Sequence, residues 1–370
     1  MIYLDYQATT PLAPEALAAM RLSMEEGFGN PHSPHRAGRA ARATVELARD
    51  RVSAGFGPGG RVAFTSGATE ALNWAIKGIA GPLRGTRPRI VTTAIEHAAV
   101  LDTVAWLERQ GHEVIVLPVS TDGIVDLDAA RAAIDERTAL VAAMLVNNEI
   151  GTIQPIAELG SMARNAGALM LCDAVQGYGR VPLPIEACDM VAISAHKIHG
   201  PKGVGALWLR DSVAPESLLH GGGQEIGLRS GTLAPALCAG FGIAANLMAE
   251  HAASDAAHVA GLFRSAREQL HDWSINGSVD CRYLGNLNVR LGGLDVARLM
   301  SDVRDVAFSA GSACASGSGR ASHVLKAIGL DDRQARSSLR LGFGRYTTME
   351  EMDRAMKLIL QAADRQGTWA

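Results

Sequence analysis

From Val62 to Arg210 the chain repeats one pattern, a short apolar run followed in most cases by a stretch of helical period. The runs are VAFTS, RIVTTA, ALVAAMLV, ALMLCD, DMVAIS and VGALWLR, and the helical stretches include Thr69 to Ile79, Ala98 to Arg109 and Leu127 to Ile134. Strands alternating with helices demand right-handed crossovers, so the pattern predicts a mostly parallel sheet covered by helices on both faces. This is the expected large α/β domain.

A polar cluster follows each of the first five runs. SGATE follows the first, Glu96-His97 the second, Asn147 to Glu149 the third, Asp173 to Gln176 the fourth and Ser194-Ala-His-Lys197 the fifth. Open α/β sheets place ligands outside the carboxyl ends of their strands, so five such clusters should converge on one crevice.

Ser194 to Gly203, SAHKIHGPKG, is the most informative of these stretches. The apolar run before it reads as a buried strand, and Gly-Pro-Lys-Gly after it forces a turn. The chain is poor in lysine, with Lys77, Lys197, Lys202, Lys326 and Lys357 alone, so few amines compete for a reactive role. Lys197 is read as the Schiff-base lysine of an aldehyde cofactor; taken by itself the stretch also suits a solvated lysine in a turn.

SGATE, Ser66 to Glu70, opens a helix, and the free N–H groups there, with the Thr69 hydroxyl, suit either a phosphate or a simple N-cap. Asp173 ends the apolar run ALMLC, where a carboxylate needs a cation or a hydrogen-bond donor such as a protonated pyridine nitrogen. His97 suits a core or surface position, or a place stacked on an aromatic cofactor. Phosphate anchor, lone amine and buried carboxylate are the three parts that pyridoxal 5'-phosphate requires. No GxxxxGK[ST] or GxSxG stretch occurs, and GFGPGG, Gly55 to Gly60, has the GxGxxG spacing but stands before an apolar run instead of after one, which argues against a P-loop enzyme, a serine hydrolase and a dinucleotide dehydrogenase.

Outside this alternation the segments are more varied. YQATTPLAP is turn-rich, with a helix able to start at Pro14, and GFGNPHSPHR is a loop carrying Asn30, His32 and His35. The two histidines lack a neighbouring carboxylate or cysteine, so no metal site is expected. GGGQEIGLRSGT, Gly221 to Thr232, can approach a site closely through its glycines, and Pro235 to about Trp273 reads as two long helices leading into a second domain.

After these helices, LNVRLG, DVAFS and SSLRLGFGR read as strands, with helices around His323 to Ile328 and Met349 to Arg365. Capping boxes are expected at both Thr347/Glu350 and Thr348/Glu351. Segregated strands and helices predict a smaller α+β domain. In SAGSACASGSG, Cys314 is surrounded by Gly, Ala and Ser, which cannot build a core, so a reactive thiol is favoured over a structural one. Arg340 suits a carboxylate clamp or a surface ion pair equally.

Composition sets the outer limits. A chain of 370 residues with 48% hydrophobic content suits about two domains, assigned as residues 12–250 and, together, 1–11 and 251–370. A formal charge of −3 gives no footprint for nucleic acid or an anionic membrane. No membrane-spanning run or signal peptide is evident and the five cysteines are odd in number and widely spaced, so a cytoplasmic protein without structural disulfides is expected.

Together these stretches resemble the cysteine desulfurases of the class V aminotransferase family. YLDYQATTP, FGNPHS, FTSGATEALNWAIKG, EHAAVLDT, VNNEIGTIQPI, CDAVQ, SAHKIHGPKGVGAL, HGGGQEIGLRSGT, SAGSACAS and SSLRLGFGRYT stand in family order from Tyr3 to about Thr347. SAGSACAS is similar to the first group, which serves iron-sulfur assembly, and not to the second, whose cysteine follows Gly-His-His.

The resemblance implies a pyridoxal-phosphate enzyme of fold type I, with a mostly parallel seven-stranded sheet, acting as a homodimer. In it Lys197 carries the cofactor, Asp173 pairs the ring nitrogen, Gln176 meets the phenolic oxygen and His97 stacks on the ring. Ala68, Thr69, Ser194 and His196 hold the phosphate, with Thr232 contributed by the other subunit. Asn148 touches cofactor and substrate, and with Arg340 and Asn30 binds the carboxylate of L-cysteine. Cys314 takes the sulfur as a persulfide for an acceptor protein of unknown identity, and alanine leaves.

Two departures stand out: Cys172 where relatives commonly have histidine, expected either to alter the ring electronics or to leave another thiol nearby, and an end at Ala370, short of the extension some relatives use to bind a scaffold. A selenocysteine lyase, a class V aminotransferase and a weakly catalytic sulfur carrier are the competing readings.

Overall fold

A computed structural model describes residues 1–310 and 321–367; Cys314 lies outside the described residues. The strands are β1 (Ile2–Tyr3), β2 (Gly60–Thr65), β3 (Arg89–Thr93), β4 (Glu113–Leu117), β5 (Thr138–Met144), β6 (Leu169–Asp173), β7 (Met190–Ser194), β8 (Gly205–Arg210), β9 (Ser274–Ile275), β10 (Asn286–Arg290), β11 (Val306–Ala307), β12 (Ser309–Ala310) and β13 (Ser338–Gly342).

Seven of them form one sheet in the order β2-β8-β7-β6-β5-β3-β4. The predicted runs supply six; the seventh, β4, is an edge strand whose sequence EVIVL was not singled out. Its burial is only partial, and Val116 is 49% exposed. Every pairing from β4 through β7 is parallel, whereas β8 is antiparallel to both β7 and β2. The reversal follows from length: the turn between β7 and β8 is too short for a crossover helix, so the chain can only double back. Because two reversals restore direction, β2, β3, β5, β6 and β7 all end on the same edge.

Alternation along each strand divides the core between the two faces. Phe64, Val141, Cys172, Val191 and Trp208 pack on one side with the helices Arg36–Ser53 and Pro235–Glu250. Ala63, Leu140, Leu171, Ala192 and Leu207 pack on the other, against Trp74 and Ile76 of the helix Ala68–Leu83. Each large side chain withdrawn from water in this way contributes roughly 1.5–3 kcal/mol. The helices Arg36–Ser53 and Ile156–Asn165 were not foreseen. In the first, the inward stripe is Ala41, Val45, Ala48 and Val52, whose small side chains give a weak periodic signal among arginines.

The second sheet, β12-β13-β10-β9, is antiparallel and packs its inner face, Leu287, Val289, Leu339 and Leu341, on the helices Ala252–Gln269 and Met349–Asp364. The expected pair of long helices is present as Pro235–Glu250 and Ala252–Gln269. Of the two capping boxes, Thr348 with Glu351 forms; Thr347 is buried and its hydroxyl accepts from Gly344 N instead. β1 pairs with β11, and Asp5 bridges to Gly342, so the first residues are woven into this second layer. A Cβ on Gly342 would lie 2.8 Å from the backbone nitrogen of Tyr6, which reserves that position for glycine.

Candidate active site

A cavity of about 880 Å3 opens along the shared strand edge. Ala68, Thr69, His97, Asn148, Asp173, Gln176, Ser194, His196, Lys197 and Arg340 all line it. Asn30 and Thr232 do not: both are exposed, and the Asn30 side chain accepts from His32 N at 3.0 Å.

Lys197 ends a single 3-10 turn, Ala195–Lys197, directly after β7. Its Nζ donates to the carbonyls of Gln7 at 2.5 Å and Ala8 at 2.8 Å. Burial, helped by the charges of Arg340 and Arg180, lowers its pKa to about 8. The amine is thereby brought near its neutral, nucleophilic form.

Asp173 is the last residue of β6, 6% exposed, and Val175 N donates to its Oδ1 at 2.9 Å. Burial pushes its pKa up, against the Val175 N–H and the charges of His97 and Lys197. A carboxylate placed this way favours a cationic partner from the cavity. His97 caps the helix Ala98–Arg109, its Nδ1 accepting from Ala99 N at 3.1 Å, which puts any ring proton of the neutral form on Nε2. Cys172 points to the opposite face, in the core cluster, with Cys188 as its hydrogen-bonding neighbour. The expectation of a second thiol near the ring is therefore corrected, because strand alternation turns residue 172 away from whatever residue 173 faces.

The helix Ala68–Leu83 starts at the cavity with Gly67 as its N-cap and no side-chain cap, so its leading N–H groups face the opening. The acidic group of SGATE is used elsewhere: Glu70 accepts from Ser66 N and pairs with Arg229. A Cβ on Gly205 would lie 2.7 Å from Gly67 Cα, so glycine there lets the helix start press against β8. Buried Ser194 and the His196 ring complete this corner. Burial, with Lys197 and Lys202 nearby, lowers the His196 pKa to about 4, so the ring is neutral, and its Nδ1 lies 3.2 Å from Thr9 Oγ1.

Arg340 on β13 forms the far wall. It is 1% exposed and pairs with Asp5 Oδ1 at 2.7 Å, which corrects the surface ion pair considered from sequence. Gln176 is tied in similarly, donating to Gln7 O at 2.9 Å and accepting from Arg180 at 2.7 Å.

The turn from Asp5 to Thr10 is thus a hub that sequence reasoning treated only as a turn. It reaches Lys197, Gln176, His196 and Arg340. Its one visible signal was the motif YLDYQATTP. Glu149 of the expected third cluster lines the cavity, and Ser322 and His323 line it unforeseen; Ser322 Oγ donates to the Glu149 carboxylate and His323 Nε2 lies 2.9 Å from Glu96 O.

The donor set fits pyridoxal 5'-phosphate. An uncapped helix start with hydroxyls suits a phosphate, a buried carboxylate suits a ring N–H, and an amine lowered to about pKa 8 suits an aldehyde. Fold and site define an α/β enzyme that holds such a cofactor at the carboxyl edge of its sheet. The chain belongs to the class-V aminotransferase family, whose model matches residues 2–355.

It is 44% identical over 368 residues to "Cysteine desulfurase IscS" of Rickettsia bellii (strain OSU 85-389), covering 97% of this chain and 90% of that one. Among solved structures, a NifS-like protein superposes with a TM-score of 0.92 at 33% identity, covering 98% of this chain and 99% of that one. A structure described as SspA in complex with cysteine superposes with a TM-score of 0.84 at 33% identity, covering 94% and 100%. Among the described residues no group of three or more His, Cys, Asp or Glu is placed to hold a metal, and no helix is long and apolar enough to cross a membrane.

Proposed function

We propose that the chain is a cysteine desulfurase dependent on pyridoxal 5'-phosphate, converting L-cysteine to L-alanine and leaving the sulfur as a persulfide on Cys314. One observation carries this: Lys197, Asp173 and the uncapped start of the helix Ala68–Leu83 line a single cavity walled by Arg340. The cofactor, when bound, supplies an aldehyde for amine exchange and a ring that accepts electron density.

The chain's residues supply the rest. Lys197 anchors the cofactor, and its amine, lowered to about pKa 8, takes the substrate Cα proton. Asp173 keeps the ring nitrogen protonated, Gln176 meets the phenolic oxygen and His97 lies against the ring. Ala68, Thr69, Ser194 and His196 hold the phosphate. Arg340 and Asn148 hold the substrate carboxylate; Asn30 joins them only if a second copy brings it there. Cys314 Sγ, as thiolate, bonds to the substrate sulfur while the C–S bond breaks, its electron pair staying with carbon, which a proton completes as alanine.

The wider assignments belong to the same proposal. The protein acts as a cytoplasmic homodimer, with exposed Thr232 reaching the partner's phosphate, and passes sulfur to an acceptor protein for iron-sulfur assembly or thiolation. Residues 12–250 form the large domain, and 1–11 with 251–370 the small one. The test is L-cysteine turnover under reductant, with sulfide and alanine appearing in equal amounts. Cys314→Ser should still bind cofactor and cysteine yet release almost neither product. Turnover at the parent rate in that variant would make Cys314 a structural thiol and remove the persulfide step, and a 2-oxo acid appearing in place of alanine and sulfide would hand the site to an aminotransferase.

A further inference from the structure

Arg340 is held in an unusual way for so buried a cation. Its Nη2 donates to Asp5 Oδ1 at 2.7 Å and to Ser309 Oγ at 3.2 Å, and its Nη1 donates to Asn148 O at 3.1 Å. Ser309 Oγ donates in turn to Asp5 Oδ1 at 2.8 Å, closing a triangle. Arg49 with Glu225 and Arg229 with Glu70 each join through two bonds, whereas Arg89 meets Asp135 and Glu113 through one each. Asp5 offers Arg340 one oxygen only. A guanidinium has five N–H groups, and Arg340 keeps some of them, including a buried Nε without any partner, while it lines the cavity.

Asp5 is itself fixed by the backbone. It bridges to Gly342, two residues beyond Arg340, and its carbonyl accepts from Ala8 N at 2.9 Å and from the Tyr3 hydroxyl at 3.2 Å. Its Cα is therefore fixed, and the short side chain is held through Oδ1 by Ser309 and Arg340. A charge-assisted bond from a fixed acceptor sets the plane of the guanidinium without saturating it.

We infer that Asp5 is a positioning residue, aligned by Ser309, that orients Arg340 to receive the carboxylate of an amino-acid substrate. The inference rests on the reading of Arg340 as the carboxylate receptor. It assigns Asp5 no contact with substrate and no part in proton transfer.

The test compares two amines on the cofactor-loaded enzyme, read from the cofactor's absorption band at equilibrium. L-alanine carries a carboxylate and ethylamine does not. Asp5→Asn should weaken L-alanine about tenfold and leave ethylamine unchanged, the loss expected for one charge-assisted orienting bond. Ser309→Ala should weaken L-alanine in the same direction by about threefold, and carries the test if Asp5→Asn does not fold.

Arg340→Gln is the control, and should erase most of the preference for L-alanine. An unchanged preference in Asp5→Asn and Ser309→Ala alongside a lost one in Arg340→Gln overturns the role of Asp5 alone. Equal weakening of both amines in Asp5→Asn also overturns it, since that marks general damage. An unchanged preference in Arg340→Gln removes the carboxylate reading itself.

Discussion

Two buried acid–base pairs sit at opposite ends of the same problem. In the loop after β8, Glu225 accepts two bonds from Arg49, at 2.6 and 2.8 Å, and a third from Phe64 N at 3.2 Å. At the sheet edge, Asp173 and Lys197 line one cavity, yet no ion pair joins them; one takes a backbone N–H and the other two backbone carbonyls. Charge removed from water is tolerable when a partner matches it, and the first pair meets that condition within the chain. The second meets it only when a ligand arrives. The difference separates a fastening from a site more sharply than burial alone does.

The largest expected effect falls on the open pair. Lys197→Ala should lower turnover by roughly 10³-fold or more and abolish borohydride trapping of the cofactor, checked by assay and by mass. Retained trapping would move the anchor to another lysine. Next, Asp173→Asn should lose about 3 kcal/mol of interaction with a ring cation, roughly a hundredfold in turnover, while the phosphate corner still retains cofactor. Glu225→Gln should do the reverse, losing about 3 kcal/mol in a denaturant titration with turnover per folded molecule near the parent value. Similar activity losses in both variants would erase the distinction between them.

A third buried carboxyl sharpens the contrast. Glu96 accepts from Thr93 and Met144 N on one oxygen, while the other has no partner. Burial raises its pKa to about 8 from a usual value of 4.5. Because the folded value is the higher one, the stability it contributes is complete below pH 4.5 and is lost as pH rises through about 8. Urea midpoints of the parent should carry this decline, and Glu96→Gln should flatten it. The smallest effect belongs to Cys172→Ala, about 1 kcal/mol of stability with turnover unchanged, since that thiol faces the core.

Much of this was legible because strand ends and turn residues are local signals. The cluster after each apolar run marked the cavity wall before any coordinates did. What escaped was set by distance along the chain or by weak patterning. The apolar run of β4, Val114 to Leu117, is as visible as that of the other edge strand, β2, although only Leu117 of it is buried, and the direction of β8 was fixed by the shortness of a turn rather than by its own residues. Asp5 and Ser309 gave no sign because their meaning lies in Arg340, which is remote in sequence and adjacent only after folding. The orientation of Cys172 was readable from alternation along β6, once Asp173 was taken to face the cavity.

The weave of the first strand sets an order of events. Ile2 and Tyr3 pair with Val306 and Ala307, and Asp5 bridges to Gly342. The turn that grips Lys197 hangs from those pairings. During synthesis the large sheet can close early, since its strands are all made by Arg210. Ile2, Tyr3 and Asp5 must then wait for partners made some three hundred positions later. A growing chain can therefore look folded by its large sheet while Asp5 and Arg340 are still apart. Competence to bind substrate should therefore appear only after residues 340–342 have joined the fold, as a step later than closure of the large sheet.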